Sequence, residues 1–452
     1  MYTVQIGKQF LELYNQKMGT ALTPMQFFDQ VYWQLFFNCE DEKHLFIVTN
    51  SKFFHPSIAK AYKDTPKEIP MARKIAFLDQ IDNCVKGNEP ITGGIAVGFM
   101  ASSSEENTSG QVSDVKINLS KEDILCSWIG GSLGIGIGGG VDLLTEDSQI
   151  LWFIYQGWEY YRKLMNDTPN LKGRQLQGWN GLWFMLGYRY RNDFEKAYES
   201  LTNQINTYIS QTGNISKLER PDWYQQIIHW ALIESGKSYL VYGYNFGQMN
   251  RTYGFFNINL PEIRKPYQFY NELLDKQGGD DSETDRRFET VFKAQYSMER
   301  AIQTGGIGLR ALTPKDLYKF VGKPDFPKTD KNNLYTFYIY ISWLKAMLAN
   351  DQTLALADRL ASTLKDFSDT ADPNARAGKT DRLRKVETLW EAKSRQNFIN
   401  GLDELLQDKQ PPDPETLNDV VQNIMLHIPT DQFTLFQTLV KFQFHYLKTR
   451  NQ

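Results

Sequence analysis

The sequence predicts an α+β protein, with a mixed α/β N-terminal body followed by a C-terminal antiparallel helical bundle. Two textures predict it. Up to about residue 325, helical periodicities alternate with strand-like, glycine-punctuated stretches. Beyond Gly322-Lys-Pro-Asp-Phe-Pro327 apolar residues recur almost wholly at helical spacing, with short loops between the stripes. At 452 residues the chain has room for about two to four domains. The expected divisions are a mixed α/β subdomain over 1–90, a mixed body with a β-rich region over 91–325, and the helical bundle over 326–452.

In the first division, Phe10, Leu11, Leu13 and Tyr14 form a helical face, and Thr23 or Pro24 starts a second helix through Phe27, Phe28, Val31 and Leu35. Leu45-Phe-Ile-Val-Thr reads as a strand, and Ala72 to Val85 as a helix with Ile75, Leu78, Ile81 and Val85 on one face. From Pro90 to about Asp142 the texture turns to β. Ile91 to Ala101 is apolar and rich in glycine, Ser102 to Gly110 is a polar turn, and Gln111 to Leu119 alternates imperfectly, as a half-buried strand would. Helical spacing returns with Ile150, Ile154, Trp158 and Tyr161, then with the aromatic stretch Trp179 to Tyr190 and with Phe194, Tyr198, Leu201 and Ile205. Trp223 to Tyr242 reads as one more helix ending at Gly243, Tyr244 to Leu260 as strand, and Lys276 to Arg287 as a loop or boundary.

The helical stripes of the last division are Leu334, Phe337, Tyr338, Ile341 and Leu344, then Leu354, Ala357, Leu360, Ala361 and Leu364. A third carries Val386, Leu389, Trp390, Phe398, Leu402 and Leu405 and stops at Pro411-Pro412. Leu417, Val420, Val421 and Ile424 follow, and Phe433, Phe436, Val440 and Leu447 close the chain.

The formal net charge is −3, so any polyanion surface is a local patch and not a property of the whole chain. Three widely spaced cysteines, Cys39, Cys84 and Cys126, form no CxxC pair and point to a reducing, cytoplasmic setting. The start of the chain lacks the pattern of a secretory signal, and the longest apolar candidate, Ile129 to Leu144, is too short and too glycine-rich to span a membrane. Aromatic residues make up 14% of the chain, and most of them read as core and interface anchors.

Four features bear on chemistry. The tract from Gly130 to Gly140 contains a literal GxGxxG, Gly134 to Gly139, whose backbone amides could cradle a pyrophosphate if a strand led in and a helix opened after it. No regular strand-helix alternation surrounds it, which favours a loop or glycine-bent strand approached closely by another backbone. Gly236-Lys237-Ser238 imitates the end of a Walker motif, but Ala231 stands where its first glycine belongs. None of the five histidines is spaced for metal binding, and a GxSxG elbow is missing. No catalysis, metal or cofactor is therefore expected.

The two remaining features point to nucleic acid. Within Tyr242 to Phe256, Asn245, Gln248, Asn250 and Arg251 are interleaved with Tyr244, Phe246, Tyr253 and Phe255, and amides and Arg are the side chains that read base edges. A polar hairpin over an aromatic core is the plainer alternative. The basic run Arg376, Lys379, Arg382, Arg384, Lys385, Lys393 and Arg395 would contact phosphates, with Arg382, Lys385 and Lys393 near one helix face, unless Asp381, Glu387 and Glu391 pair with it as a solvated surface.

In its layout the chain resembles the large subunit of a type I CRISPR RNA-guided surveillance complex (Cascade), most closely from Leu334 to Leu447, including Phe398-Ile-Asn-Gly-Leu402 and Phe433-Thr-Leu-Phe-Gln-Thr-Leu-Val440. The near-neutral charge departs from that of an isolated DNA binder. The resemblance implies a non-catalytic subunit whose N-terminal body checks a protospacer-adjacent motif and whose bundle lines the path of target DNA. It implies crRNA, target DNA, the backbone subunits and a recruited nuclease or effector as partners, and no membrane. A nucleotide-binding enzyme using the glycine tract and a structural interaction subunit stay open as alternatives.

Overall fold

Ser120 begins the helix around which the first part of the chain is assembled. Its hydroxyl accepts from the Asp123 N–H while the Asp123 carboxylate accepts from the Ser120 N–H, a reciprocal cap that starts Lys121–Ser132. This helix crosses Tyr2–Met18 at very short range: a Cβ on Gly130 would fall 1.9 Å from the Thr3 carbonyl oxygen. The structure is a computed structural model and describes residues 1–39, 43–48, 51, 69–99, 117–234, 236–246, 251–273, 288–303, 306–317, 331–348, 350–370 and 381–450. The chain divides into two compact units, Met1–Leu260 with Tyr296–Ile307, and Pro261–Gln295 with Gly308–Gln452.

In the first unit, the Ser148–Asp167 helix is capped by Asp147 and buries Ile150, Ile154, Trp158 and Tyr161, the face its spacing predicts. Against it lies Leu176–Gly187, and the two helices interleave Tyr161, Trp179, Trp183 and Phe153 as a near-parallel ladder with centroids 5.0, 5.9 and 5.0 Å apart. The Trp179 and Trp183 indoles donate to the Gly157 and Phe153 carbonyls, so each buried ring has its polar atom satisfied. The aromatic richness of this region is therefore core.

One antiparallel sheet of four strands, ordered β1-β2-β5-β6, is built from β1 (Ile135–Ile137), β2 (Val141–Leu144), β5 (Tyr239–Asn245) and β6 (Arg251–Ile258). Between β2 and β5 in sequence, β3 (Ile209–Thr212) and β4 (Ile215–Leu218) form a separate hairpin. β6 is an edge strand, and its end is covered where Ile258 bridges Ile307.

Several expectations are corrected here. Of the strand expected at Leu45 to Thr49, residues 45–48 are irregular: the Leu45 N–H donates to Phe36 and its carbonyl accepts from Leu176, so the segment ties helices together instead of joining a sheet. Ile91 through Phe99 forms turns, and a helix, Lys121–Ser132, occupies part of the stretch read as β. The Ile69–Val85 helix buries Arg73, Phe77, Ile81 and Cys84 and leaves Ile75 and Val85 exposed, so its inner face is rotated from the predicted stripe. The helix expected over Trp223 to Tyr242 stops at Ile233, and β5 begins at Tyr239. Residues 102–110 and 276–287 lie outside the described residues, as do 111–116 of the strand expected over Gln111 to Leu119, whose residues 117–119 are irregular.

The second unit holds an antiparallel pair of strands, β7 (Phe292–Ala294) with β8 (Leu312–Pro314), and the C-terminal helices. These are Lys331–Leu348, Asp351–Asp369, Asp381–Glu391, Arg395–Leu406, Pro414–Val420 with a π-turn to Met425, and Thr430–Arg450. They enclose one apolar cluster that includes Leu360, Leu364, Leu389, Phe398, Leu402, Phe436 and Val440. The third predicted stripe is two helices, because Ser394 caps a new one by accepting from the Asn397 N–H. The residues around the boundary expected near 325 lie outside the described residues; on its far side, the Trp343 indole and the Tyr340 hydroxyl of the first bundle helix donate to the Leu312 and Lys315 carbonyls beside β8. Among the described residues, no helix is long and apolar enough to cross a membrane.

Candidate nucleic-acid interface

One end of the four-stranded sheet gathers the turn between β1 and β2, the last residue of β5 and the first of β6. The turn is Gly138-Gly139-Gly140, with φ of +91° and +79° at its second and third residues, conformations that side chains rarely adopt. Beside it, Asn245 of β5 stands opposite Arg251 of β6. The Asn245 amide lies against the turn, so that a Cβ on Gly140 would meet its nitrogen at 3.0 Å.

The hairpin register shifts after Gly243: Gly243 faces Gly254 and Tyr244 faces Thr252, leaving Tyr253 as the extra residue of a bulge. The bulge brings the Tyr253 ring under the Arg251 guanidinium, 5.1 Å from ring centroid to charge. Glu299, on the Met298–Gln303 helix, ion-pairs with Arg251 at 2.6 Å. Nothing in the sequence near Arg251 announces that partner, which arrives with the returning segment Tyr296–Ile307.

Beneath this end Asp142 is fully buried in β2. Burial pushes its carboxyl up from the ordinary value, while Arg220 at 2.9 Å and the Phe246 N–H pull it down. Arg220 also donates to the Val141 carbonyl. The one readable trace of this pair was an aspartate inside the apolar Val-Asp-Leu-Leu strand.

The GxGxxG lies in this hairpin and does not open a helix. Gly136 belongs to β1, and a Cβ there would sit 2.4 Å from the Gln177 carbonyl oxygen, so the tract serves close backbone approach. Gly236-Lys237-Ser238 leads into β5, with the Lys237 ammonium held at 2.8 Å by Asp147. Among the described residues no group of three or more His, Cys, Asp or Glu side chains is placed to hold a metal ion.

Among its described residues the basic run presents no single exposed face, although Arg382 and Lys385 turn to the same carboxylate. Arg382 is 2% exposed, stacks 5.2 Å over Phe367 and ion-pairs with Asp408 at 2.8 Å. Lys385 reaches the other oxygen of Asp408 at 2.9 Å. Arg395 donates to the Ile428 carbonyl. Arg384 is 74% exposed and paired with Asp381 one turn back, and Lys393 is exposed in the link between two helices. Of the sequence-predicted residues, Asn245 and Arg251 are brought together, the run is dispersed, and Gln248, Asn250, Arg376 and Lys379 lie outside the described residues. No family model, curated protein or solved structure matches the chain.

Proposed function

We propose that this chain is a non-catalytic nucleic-acid-binding subunit of an RNA-guided DNA-targeting complex, which checks a flanking DNA motif and holds target DNA. The observation that supports this reading is the pairing of Asn245 with Arg251 at one end of the sheet, over the Tyr253 ring. An amide and a guanidinium on paired residues offer the donor and acceptor patterns that distinguish base pairs, and Arg251, 27% exposed, would exchange its Glu299 partner for a base edge. Gln248 and Asn250 belong to the same segment and share the role. In such complexes guide pairing reads the sequence while protein reads only a short duplex motif.

Phosphate contact is assigned to Arg384 and Lys393, which are exposed, Arg384 at 74% despite its surface pair with Asp381, whereas Arg382 is buried and Lys385 and Arg395 are held by Asp408 and the Ile428 carbonyl. The partners in this reading are crRNA, target DNA, further subunits and a recruited effector. Isolation of the tagged chain from its native cell tests it: a copurifying small RNA with other subunits is the expected result. A bound nucleotide without RNA would favour an enzyme, and copurifying proteins alone would favour a structural subunit.

A further inference from the structure

The second unit contains a cavity of about 430 Å³ between the Lys331–Leu348, Asp351–Asp369 and Thr430–Arg450 helices, closed at one side by Leu273. Its volume falls in the range of about 300–1,000 Å³ typical of small-molecule sites. The wall is aromatic. Phe337 lies 4.7 Å from Phe442, and Phe442 is near-parallel to Tyr446, with 24° between the planes. Tyr446 is 46% exposed.

One polar atom is out of place in this wall. Gln443 lines the cavity, and its side-chain carbonyl oxygen is withdrawn from solvent with no hydrogen-bond donor among the described residues. A buried acceptor without a donor is costly, and a ligand bearing an N–H would relieve it. The Gln amide also carries a donor, so it matches the amino and ring-nitrogen edge of adenine. Lys345 and Asp358 also line it, a cation suited to phosphate and a carboxylate suited to sugar hydroxyls.

We propose that this cavity binds an aminopurine ring, stacked on Tyr446 and Phe442 and hydrogen-bonded to Gln443. Two sources carry the same chemistry: a free adenine nucleoside, or an unstacked adenine of a single strand. Aromatic platforms serve either, because every base has a π face. The site lies in the second unit and does not use Asn245 or Arg251, so it stands or falls apart from motif reading.

Equilibrium dialysis of the full chain with labelled adenosine tests it, with purine riboside, which lacks the exocyclic amine, as competitor. Saturable adenosine binding is expected, with purine riboside about tenfold weaker. Gln443→Leu should erase that discrimination, and Tyr446→Ala should weaken both nucleosides, with helical circular dichroism unchanged in each variant. An oligo-dA strand competing better than adenosine identifies the strand as the source; competition by adenosine alone identifies the free nucleoside. Equal affinity for adenosine and purine riboside, or no binding of adenosine and oligo-dA, overturns the proposal. Asn245→Ala/Arg251→Ala should leave the binding unchanged.

Discussion

Arg382 and Arg384 sit two residues apart and have opposite situations. Arg382 lies under Asp408 and over Phe367, so Arg382→Ala removes a buried partner of a carboxylate together with its packing and should cost about 2–4 kcal/mol. Arg384→Ala, at an exposed pair, should stay within about 0.5 kcal/mol. Urea midpoints of the two variants check the contrast. A phosphate-contact test is therefore best made with charge reversal at Arg384 and Lys393, which should lower the slope of affinity against salt by about one unit per lost contact. Asp408 adds a pH signature. Burial alone would raise its carboxyl, but Lys385, Arg382 and the Gln410 N–H hold it down to about 2 from an ordinary 3.8. The folded value is the lower one, so this stabilisation is fully present above the ordinary value and lost as pH falls towards about 2. Asp408→Asn should flatten the acid limb of chemical denaturation between those values, and an unchanged limb would dismiss the site as the cause. At the sheet end, Asn245→Ala with Arg251→Ala should cut discrimination between permitted and forbidden flanking motifs by about 1–3 kcal/mol, measured on paired targets, with affinity falling less. Asn245 and Arg251 were legible because amide, guanidinium and aromatic alternate along the chain. Glu299 was not, because an ion pair between distant segments leaves no local pattern.

Among the elements, the glycine tract shows how spacing misleads without context. Gly134 to Gly139 carries the letters of a dinucleotide loop, yet Gly136 is held against the Gln177 backbone and the following glycines turn β1 into β2. Gly136→Ala should cost about 3 kcal/mol in urea denaturation, because its new methyl meets backbone and not a movable side-chain end. The same change at Gly213, whose φ is +61° with nothing near, should act through backbone strain alone and cost less. The bundle helices were readable from sequence, since a stripe such as Ala357, Leu360, Ala361 and Leu364 is set by neighbours three and four residues away. The sheet was not: β2 pairs with β5 across a long stretch of intervening helices, and Trp223 to Tyr242 holds apolar residues that satisfy helical and strand periodicity alike.

For the whole molecule, the buried apolar cluster of the bundle runs, among the described residues, from Leu348 to Phe444, so the C-terminal helices carry their own core. A fragment from Lys331 to the end should show helical circular dichroism and cooperative melting. One from Phe288 should melt higher, since it keeps the carbonyls that receive Trp343 and Tyr340. Equal melting of the two would show that the strand pair adds nothing.

The chain passes from the first unit to the second at Leu260, returns at Tyr296 and leaves again after Ile307. On the ribosome this order has a cost. β6 is finished at Ile258, but the residue that bridges its end, Ile307, is synthesised only after a first portion of the other unit has emerged. At about 5–20 residues per second, the nascent strand waits several seconds with that stretch of backbone unpaired. An open strand edge is a template for pairing with other chains. Until Ile307 arrives, the end of β6 adds to the edge open to intermolecular capture, and holding factors acting co-translationally would shield it.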